Sequence, residues 1–432
     1  MRDPSMEQTA AGLSTTSDID AKLTVTSHER EVLRSLATKI LELASKPEEI
    51  EKRKLWTNHN DLITTRPLIF CDPENGWNEI ITQEQILCAN PLLRVWEMAM
   101  RKEIFWATEM KDDKVIEAFF NVPYNYTTTG YGFDEETRRT NDEGSCVWIN
   151  KIDDYEKDFP KFRFPEIVID HDKTRRVLDF ASEILGDILT VRLRGLWWWS
   201  LGMTWDFIKF RSLENFMLDT LIYPEWVHKF MNFLCDATHR KLDFLESNGL
   251  LSLNTGGSYV GSGGFGWTTQ LPRPDYAPSC IKTLDMWGFS ESQETLGIDP
   301  EAYGEFIFPY EKTILERFGM NCYGCCEPID PRWHYVKQFP RLRRVSVSPW
   351  ANIPKMAEFL QNKYIMSIKP IPTPLSMSSI DENAIRRELR KSLQLTRDCH
   401  VEVIMKDNHT LGKNPMNAVN WCRIAKEEAL NL

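Results

Sequence analysis

Three thiols and a carboxylate stand close together in one short segment of the sequence, at the end of a predicted buried strand. They are Cys322, Cys325, Cys326 and Glu327. A second candidate strand, at 400–405, is followed by His409. Because the carboxyl ends of parallel strands share one edge of a sheet, we expect these side chains to converge. Thiolates joined by one imidazole suit zinc best among the common metals, so the pattern predicts a zinc site.

The predicted ligand set leaves one position open. Thiol pairs also occur as small, inert, buried side chains, and the cysteine segment alone does not separate the two interpretations. Its combination with His409 favours metal ligation. Glu327 or Glu294 would complete a tetrahedron, or an open position would admit substrate, as a catalytic zinc requires.

Other polar and aromatic residues recur at or just beyond the ends of the predicted strands. We expect general acids among Glu291, Glu294 and Asp407. We expect substrate contacts from Asn254, Tyr259, Trp287, Gln293, Trp350 and Lys369. For the segment 286–294 the alternative is an N-cap cluster that only begins the following helix.

The elements that must position these residues alternate along the chain. Apolar, β-branched runs predict strands at 66–72, 115–123, 188–195, 250–254, 283–288, 319–325, 343–348, 364–369 and 400–406. Helical spacing or start signals predict helices at 27–51, 91–107, 300–317, 330–338, 353–362, 381–396 and 414–428. This alternation indicates an α/β fold with a parallel sheet, either open and doubly wound or closed. The recurrence of polar residues at the strand ends favours a single (β/α)8 TIM barrel with an N-terminal helical extension.

A glycine-rich segment at 256–266 matches neither the phosphate-binding loop of nucleotide hydrolases nor the dinucleotide fingerprint. We interpret it as a close-packed or flexible loop at the mouth of the site. With Tyr259, Phe265 and Trp267 it would close over an aromatic or apolar ligand.

Composition excludes several classes of function. The net charge of −11 argues against a nucleic-acid partner, and no apolar run is long enough to span a membrane. The ten cysteines are scattered apart from one cluster, which indicates reduced thiols and a cytoplasmic protein. Residues 1–27 are expected to be a disordered or cloning-derived tail before one domain at 28–432, and a homodimer is compatible with the sequence.

Several motifs resemble the uroporphyrinogen decarboxylase superfamily. They are DPEAY at 299–303, FPYEK at 308–312, GCCEP at 324–328, SVSPW at 346–350 and the last segment, 409–428. The resemblance covers roughly residues 180–432 and implies a single (β/α)8 barrel. The strand at 66–72 lacks the paired arginines with which the decarboxylase itself grips its substrate, so porphyrinogen decarboxylation is not expected.

The motifs are closer to the branch that resembles zinc-dependent corrinoid methyltransferases. That resemblance implies zinc held by Cys326 and His409 with Cys325, Cys322 or a glutamate. The resemblance also implies an activity, the O-demethylation of a small methyl ether, which could be aromatic. The methyl group would be transferred to the Co(I) corrinoid of a partner protein. The segment DNHTLG at 407–412 matches the D-x-H-x-x-G pattern of proteins that bind cobalamin through a histidine. Such proteins need a full α/β fold after the histidine, and only 20 residues follow Gly412, so we do not expect this chain to carry the corrinoid itself.

Two alternatives remain open at this stage. The first is a methyltransferase that moves a methyl group from a methylcorrinoid to a thiol, again with zinc. The second is a metal-free lyase acting on a small carboxylic acid, with Lys369 and Arg194 as carboxylate anchors.

Overall fold

The computed structural model describes residues 22–133, 136–139 and 146–432. The strands are β1 Leu68–Cys71, β2 Phe119–Val122, β3 Tyr126–Thr128, β4 Thr137–Arg139, β5 Cys146–Trp148, β6 Ile167–Ile169, β7 Thr190–Leu193, β8 Trp287–Ser290, β9 Met320–Tyr323, β10 Leu342–Val347, β11 Ile365–Ile368 and β12 His400–Met405. The helices are α1 Ser27–Ala44, α2 Pro47–Asn60, α3 Trp77–Ile80, α4 Pro91–Phe105, α5 Tyr155–Asp158, α6 His171–Leu185, α7 Thr204–Arg211, α8 Leu213–Ile222, α9 Pro224–Ser247, α10 Pro300–Phe306, α11 Phe308–Leu315, α12 Trp333–Val336, α13 Ile353–Leu360, α14 Glu382–Leu395 and α15 Met416–Leu430.

The centre of the molecule is a six-stranded parallel sheet in the order β1-β12-β11-β10-β9-β8. Five of these strands are buried at every residue: β1, β8, β9, β11 and β12. Strands covered on both faces read as mainly apolar runs, which is why the sequence predicts β1, β9, β11 and β12 closely. The strand predicted at 283–288 is displaced, because Thr283–Asp285 forms a 3-10 turn and β8 runs from Trp287 to Ser290. A second parallel pair, β2 and β7, stands outside this sheet. The α/β class with a parallel sheet is therefore confirmed, whereas the hydrogen-bonded ladder of the described residues does not close into a barrel.

The predicted strand at 250–254 is wrong, because the segment has no strand pairing in the structure. The side chain of its last residue, Asn254, forms the hydrogen bonds that a neighbouring strand would form with Trp287. The Asn254 amide donates to the Trp287 carbonyl over 2.8 Å, and its oxygen accepts from the Trp287 N–H over 2.9 Å. One side chain thereby pairs both backbone groups of Trp287 at the edge of β8, and the Leu201 N–H donates to the Phe289 carbonyl further along the strand.

The predicted N-terminal helical layer is present, but the helix predicted at 27–51 is two helices. A capping box between Thr26 and Glu29 begins α1, and Pro47 at the first turn begins α2. The end of α2 carries His59 into the protein, where its Nε2 lies 3.2 Å from Glu402 Oε2. Both side chains are completely buried.

The glycine-rich loop packs against one face of the sheet. Gly261 faces Cys322, Gly263 faces Ile404, and Gly264 faces Glu402. A Cβ atom at these three glycines would stand 2.4, 2.5 and 2.7 Å from the facing side chains, and all three have positive φ. The glycines are required because the loop backbone approaches the strands too closely for any side chain. The close-packed alternative expected from the sequence is thus present, and closure of the loop over a ligand stays a prediction.

No helix within the described residues combines the length and the apolar character needed to cross a membrane.

Candidate strand-end site

Buried polar side chains follow nearly every strand of the six-stranded sheet at its carboxyl end. Asp72 follows β1, Glu291 follows β8, Lys369 follows β11 and Lys406 follows β12, and each is less than 7% exposed. Ends of parallel strands lie along one edge, so these groups share a region of the molecule. We call this region the strand-end site; it comprises Asp72, Glu74, Glu291, Cys325, Cys326, Glu327, Lys369, Lys406 and Asp407.

Lys369 stands centrally in the site. Its Nζ donates to Ser367 Oγ over 2.6 Å, and Ser367 Oγ donates to Glu402 Oε1 over 2.5 Å. Burial lowers the pKa of Lys369 to about 8, although the nearby Glu402 carboxylate opposes the shift. A lysine with such a pKa exchanges its proton near neutral pH, as a general acid or base must.

Carboxylates surround Lys406 at one end of the site. Lys406 Nζ lies 3.3 Å from Glu74 Oε1. Burial raises the pKa of Glu74; Lys406 opposes that shift, whereas Asp72 and Asp407 add to it. Asp72 is held in place by the Trp77 indole N–H, which donates to Oδ1 over 3.0 Å. The sequence analysis does not predict Glu74 or Lys406 as site residues. Both follow the carboxyl end of a strand, and this position could have indicated them.

The thiols lie at the other end of the site. Cys325 Sγ and Cys326 Sγ are 3.6 Å apart, and Ser262 Oγ donates to Cys325 Sγ over 3.4 Å. Glu327 is completely buried; its Oε1 accepts from the Ser292 N–H over 3.0 Å and its Oε2 accepts from the Cys325 N–H over 2.9 Å. Burial raises the pKa of the Glu327 carboxyl, and the neighbouring Cys325 thiol adds to the shift. The protonated acid is thereby favoured.

The structure does not bring together all of the metal ligands predicted from the sequence. His409 is exposed at the surface, and Cys322 is buried beneath Gly261. Burial raises the pKa of the Cys322 thiol to about 12, which disfavours the thiolate that binds metals. Throughout the part of the chain that the structure describes, no three His, Cys, Asp or Glu side chains lie close enough to hold a metal ion. The residues therefore do not fit zinc in this arrangement.

The other predicted site residues fall into three groups. Glu291 and Glu294 lie at the end of β8, where Glu291 Oε2 accepts from the Gln293 N–H and Glu294 Oε2 accepts from Thr204 Oγ1 over 2.7 Å. Asn254 and Trp287 hold the edge of β8, and the Trp287 indole donates to the Gly266 carbonyl. Trp350 is 70% exposed.

Tyr259 packs against the first strand, with its ring 5.6 Å from the ring of Phe70. Its hydroxyl is buried and has no hydrogen-bond partner among the described residues. Burial raises the pKa of this hydroxyl, and the carboxylates Asp72 and Glu74 add to the shift. Tyr259 therefore faces the acidic end of the strand-end site as a neutral phenol.

Sequence comparison finds no matching family model and no matching curated protein. Among solved structures, a methyltransferase from Methanosarcina mazei is similar over 87% of this chain and 97% of that chain, with a TM-score of 0.48 and 12% sequence identity. The activity in its name is a property of that protein.

Proposed function

We propose that this protein is a methyltransferase that uses the strand-end site to transfer a methyl group from a small methyl ether to the Co(I) corrinoid of a partner protein. The idea of methyl transfer comes from the sequence motifs. The observation that supports its chemistry is the presence of two buried groups, Lys369 and Glu327, whose pKa values are shifted toward neutral pH. Shifted groups at one edge of a sheet are typical of catalytic sites.

The chemistry of an ether defines what the chain must supply. When the carbon–oxygen bond of the ether breaks, the oxygen keeps the bonding electrons and needs a proton. The reduced corrinoid of the partner would supply the electron pair for the new bond to the methyl carbon. Lys369 would deliver the proton to the departing oxygen, and Ser367, which holds its Nζ, would orient it. Glu327 in its protonated form would hold the ether oxygen by a hydrogen bond.

A single-turnover assay tests this proposal. Purified protein, cob(I)alamin and an aryl methyl ether are mixed, and methylcobalamin is followed by its absorbance. Lys369→Met is expected to slow methyl transfer by roughly 10²- to 10⁴-fold, the usual contribution of a positioned general acid. The matched control is Lys363→Met, which removes an exposed lysine close by in the sequence. Equal rates in the two variants would contradict the assignment of Lys369, and no transfer from any ether by the wild-type protein would contradict the function.

Zinc enters no step of this proposal, and elemental analysis tests that point separately. One zinc per chain, lost in both Cys326→Ala and His409→Ala, would restore the ligand set predicted from the sequence and contradict the proton-donor chemistry. The same preparations, given methylcobalamin and a thiol, test the thiol-acceptor alternative.

A further inference from the structure

A cleft lies between the β2–β7 pair, helix α4 and the glycine-rich loop, and none of the residues of the strand-end site lines it. Its apolar walls include Met100, Phe119, Phe120, Leu196 and Phe265. Its polar lining includes Arg194, Ser258 and Glu117. Arg194 and Lys369, the two carboxylate anchors expected from the sequence, thus follow strands of different sheets.

Arg194 is a buried cation without an ionic partner. It is 8% exposed, and among the described residues it forms no ion pair; its Nη2 donates to the Leu253 carbonyl over 3.2 Å. Burial lowers the pKa of Arg194 to about 10, and the like charge of Arg192 adds to the shift, while Glu117 opposes it. Burying a charge without a counter-ion costs stability, so a protein that keeps one gains something else from it.

A second polar group in the cleft also lacks a partner. Ser258 is 2% exposed, and its Oγ forms no hydrogen bond within the described structure. Buried hydroxyl groups are normally hydrogen-bonded, so an unpartnered hydroxyl in the same cleft as a cation without an ion pair indicates a missing ligand. Two independent observations therefore point to the same cleft.

The charges around the cleft leave an excess of one positive charge. Lys114 and Glu103 neutralise each other, with Nζ and Oε2 2.5 Å apart. Arg192 donates from Nε to Asn121 Oδ1 over 2.7 Å and lies over the Phe119 ring. Arg192 does not itself line the cleft, but it contacts two residues that do, Asn121 and Phe119. The excess positive charge is therefore that of Arg192 and Arg194 together against Glu117, the one remaining carboxylate among the described lining residues.

We propose that this cleft binds a small organic carboxylate, whose charged group contacts the Arg194 guanidinium and the Ser258 hydroxyl and whose apolar body packs against the aromatic walls. A planar guanidinium matches a carboxylate, and the apolar lining favours an organic anion over an inorganic one. None of the residues assigned to methyl transfer lines this cleft, so different variants test the two proposals.

Isothermal titration calorimetry on the full chain tests the site with four probes: acetate, benzoate, benzamide and inorganic phosphate. Wild-type protein is expected to bind benzoate more tightly than acetate and not to bind benzamide. Arg194→Met is expected to weaken benzoate binding by roughly tenfold or more, as loss of a charge-assisted contact does. Arg176→Met, which removes an exposed arginine, is the matched control and should bind as the wild type does. Equal binding of benzamide, binding of phosphate alone, or unchanged binding in Arg194→Met would overturn the proposal.

Thermal unfolding provides a second readout that does not need the ligand. Because Arg194→Met removes a buried, unpaired charge, it is expected to raise the melting temperature of the free protein while abolishing the increase that benzoate gives to the wild type. A lower melting temperature in this variant would show that the guanidinium stabilises the free fold and would overturn the inference that it awaits an anion.

Discussion

Several ionisable residues are buried in this protein, and their neighbours determine which charge each one carries. Burial alone would raise the pKa of Glu402, but Arg344, whose Nε lies 3.1 Å from Glu402 Oε1, and the hydrogen bond with His59 hold it at about 2. Burial lowers the pKa of His59, despite the opposing effect of Glu402. An ionised Glu402 and Arg344 with a neutral His59 therefore form the charged interior beneath the glycine-rich loop.

Glu311 is the opposite case, and it leads to a prediction about pH. It accepts hydrogen bonds from Ser290 Oγ and the Tyr323 hydroxyl, each over 2.8 Å, and burial raises its pKa from 4.5 to about 8. Between these pH values the unfolded chain loses the proton that the folded protein keeps, so stability falls as pH rises. Relative to Glu311→Gln, the wild type is expected to lose roughly 3 to 5 kcal/mol of unfolding free energy across this interval.

Urea denaturation at a series of pH values measures the difference. Glu316→Gln, which changes an exposed glutamate in the turn after the same helix, is the control and should follow the wild-type curve. Parallel curves for wild type and Glu311→Gln would mean that Glu311 is ionised in the folded protein.

At the scale of elements, the glycine-rich loop is the most constrained part of the described chain. A Cβ atom at Gly264 would stand 2.7 Å from Glu402 Oε1 and 3.0 Å from Arg344 Cζ, in a backbone with φ of +89°. We expect Gly264→Ala to lower the free energy of unfolding by about 2 kcal/mol or more, because both the backbone and the buried ion pair are strained. Gly256→Ala, in the same loop, meets no side-chain atom closer than 3.7 Å and should change stability by less than about 1 kcal/mol. Equal losses in urea denaturation would contradict the close packing of the loop.

Local signals in the sequence predict elements well and long-range contacts poorly. Asp381 caps α14 and Asp299 caps α10, as the start signals indicate. The pairing of His59 with Glu402 spans 343 residues, and no local pattern in the sequence connects the two. His409 follows β12 as expected, yet its position beyond the strand turns it outward, because side-chain direction depends on the loop path and not on spacing.

At the scale of the whole molecule, the first and last strands of the central sheet are neighbours. Leu68–Cys71 pairs with 402–405 in parallel, and α15 packs against β1. Lys426 in α15 also lies 3.5 Å from Asp113. Strands β1 and β12 and helix α15 therefore form one packing unit.

A substitution of Trp421 tests whether these elements unfold together, because this side chain lies in α15 and is only 1% exposed. Trp421→Ala is expected to cost about 3 to 5 kcal/mol and to speed hydrogen exchange in both β1 and β12. Leu430→Ala, at a side chain that is 67% exposed, is the control and should leave exchange in both strands unchanged. Faster exchange in β12 with β1 unaffected would show that the two strands open separately.

The neighbouring position of β1 and β12 also bears on folding during synthesis. Leu68 in β1 is translated long before Glu402, the residue in β12 with which it pairs. Until β12 has been synthesised, this apolar strand lacks its hydrogen-bonding partner, and unpaired strand edges are surfaces on which nascent chains aggregate. We therefore expect shielding of the nascent β1 edge during this interval to favour correct folding.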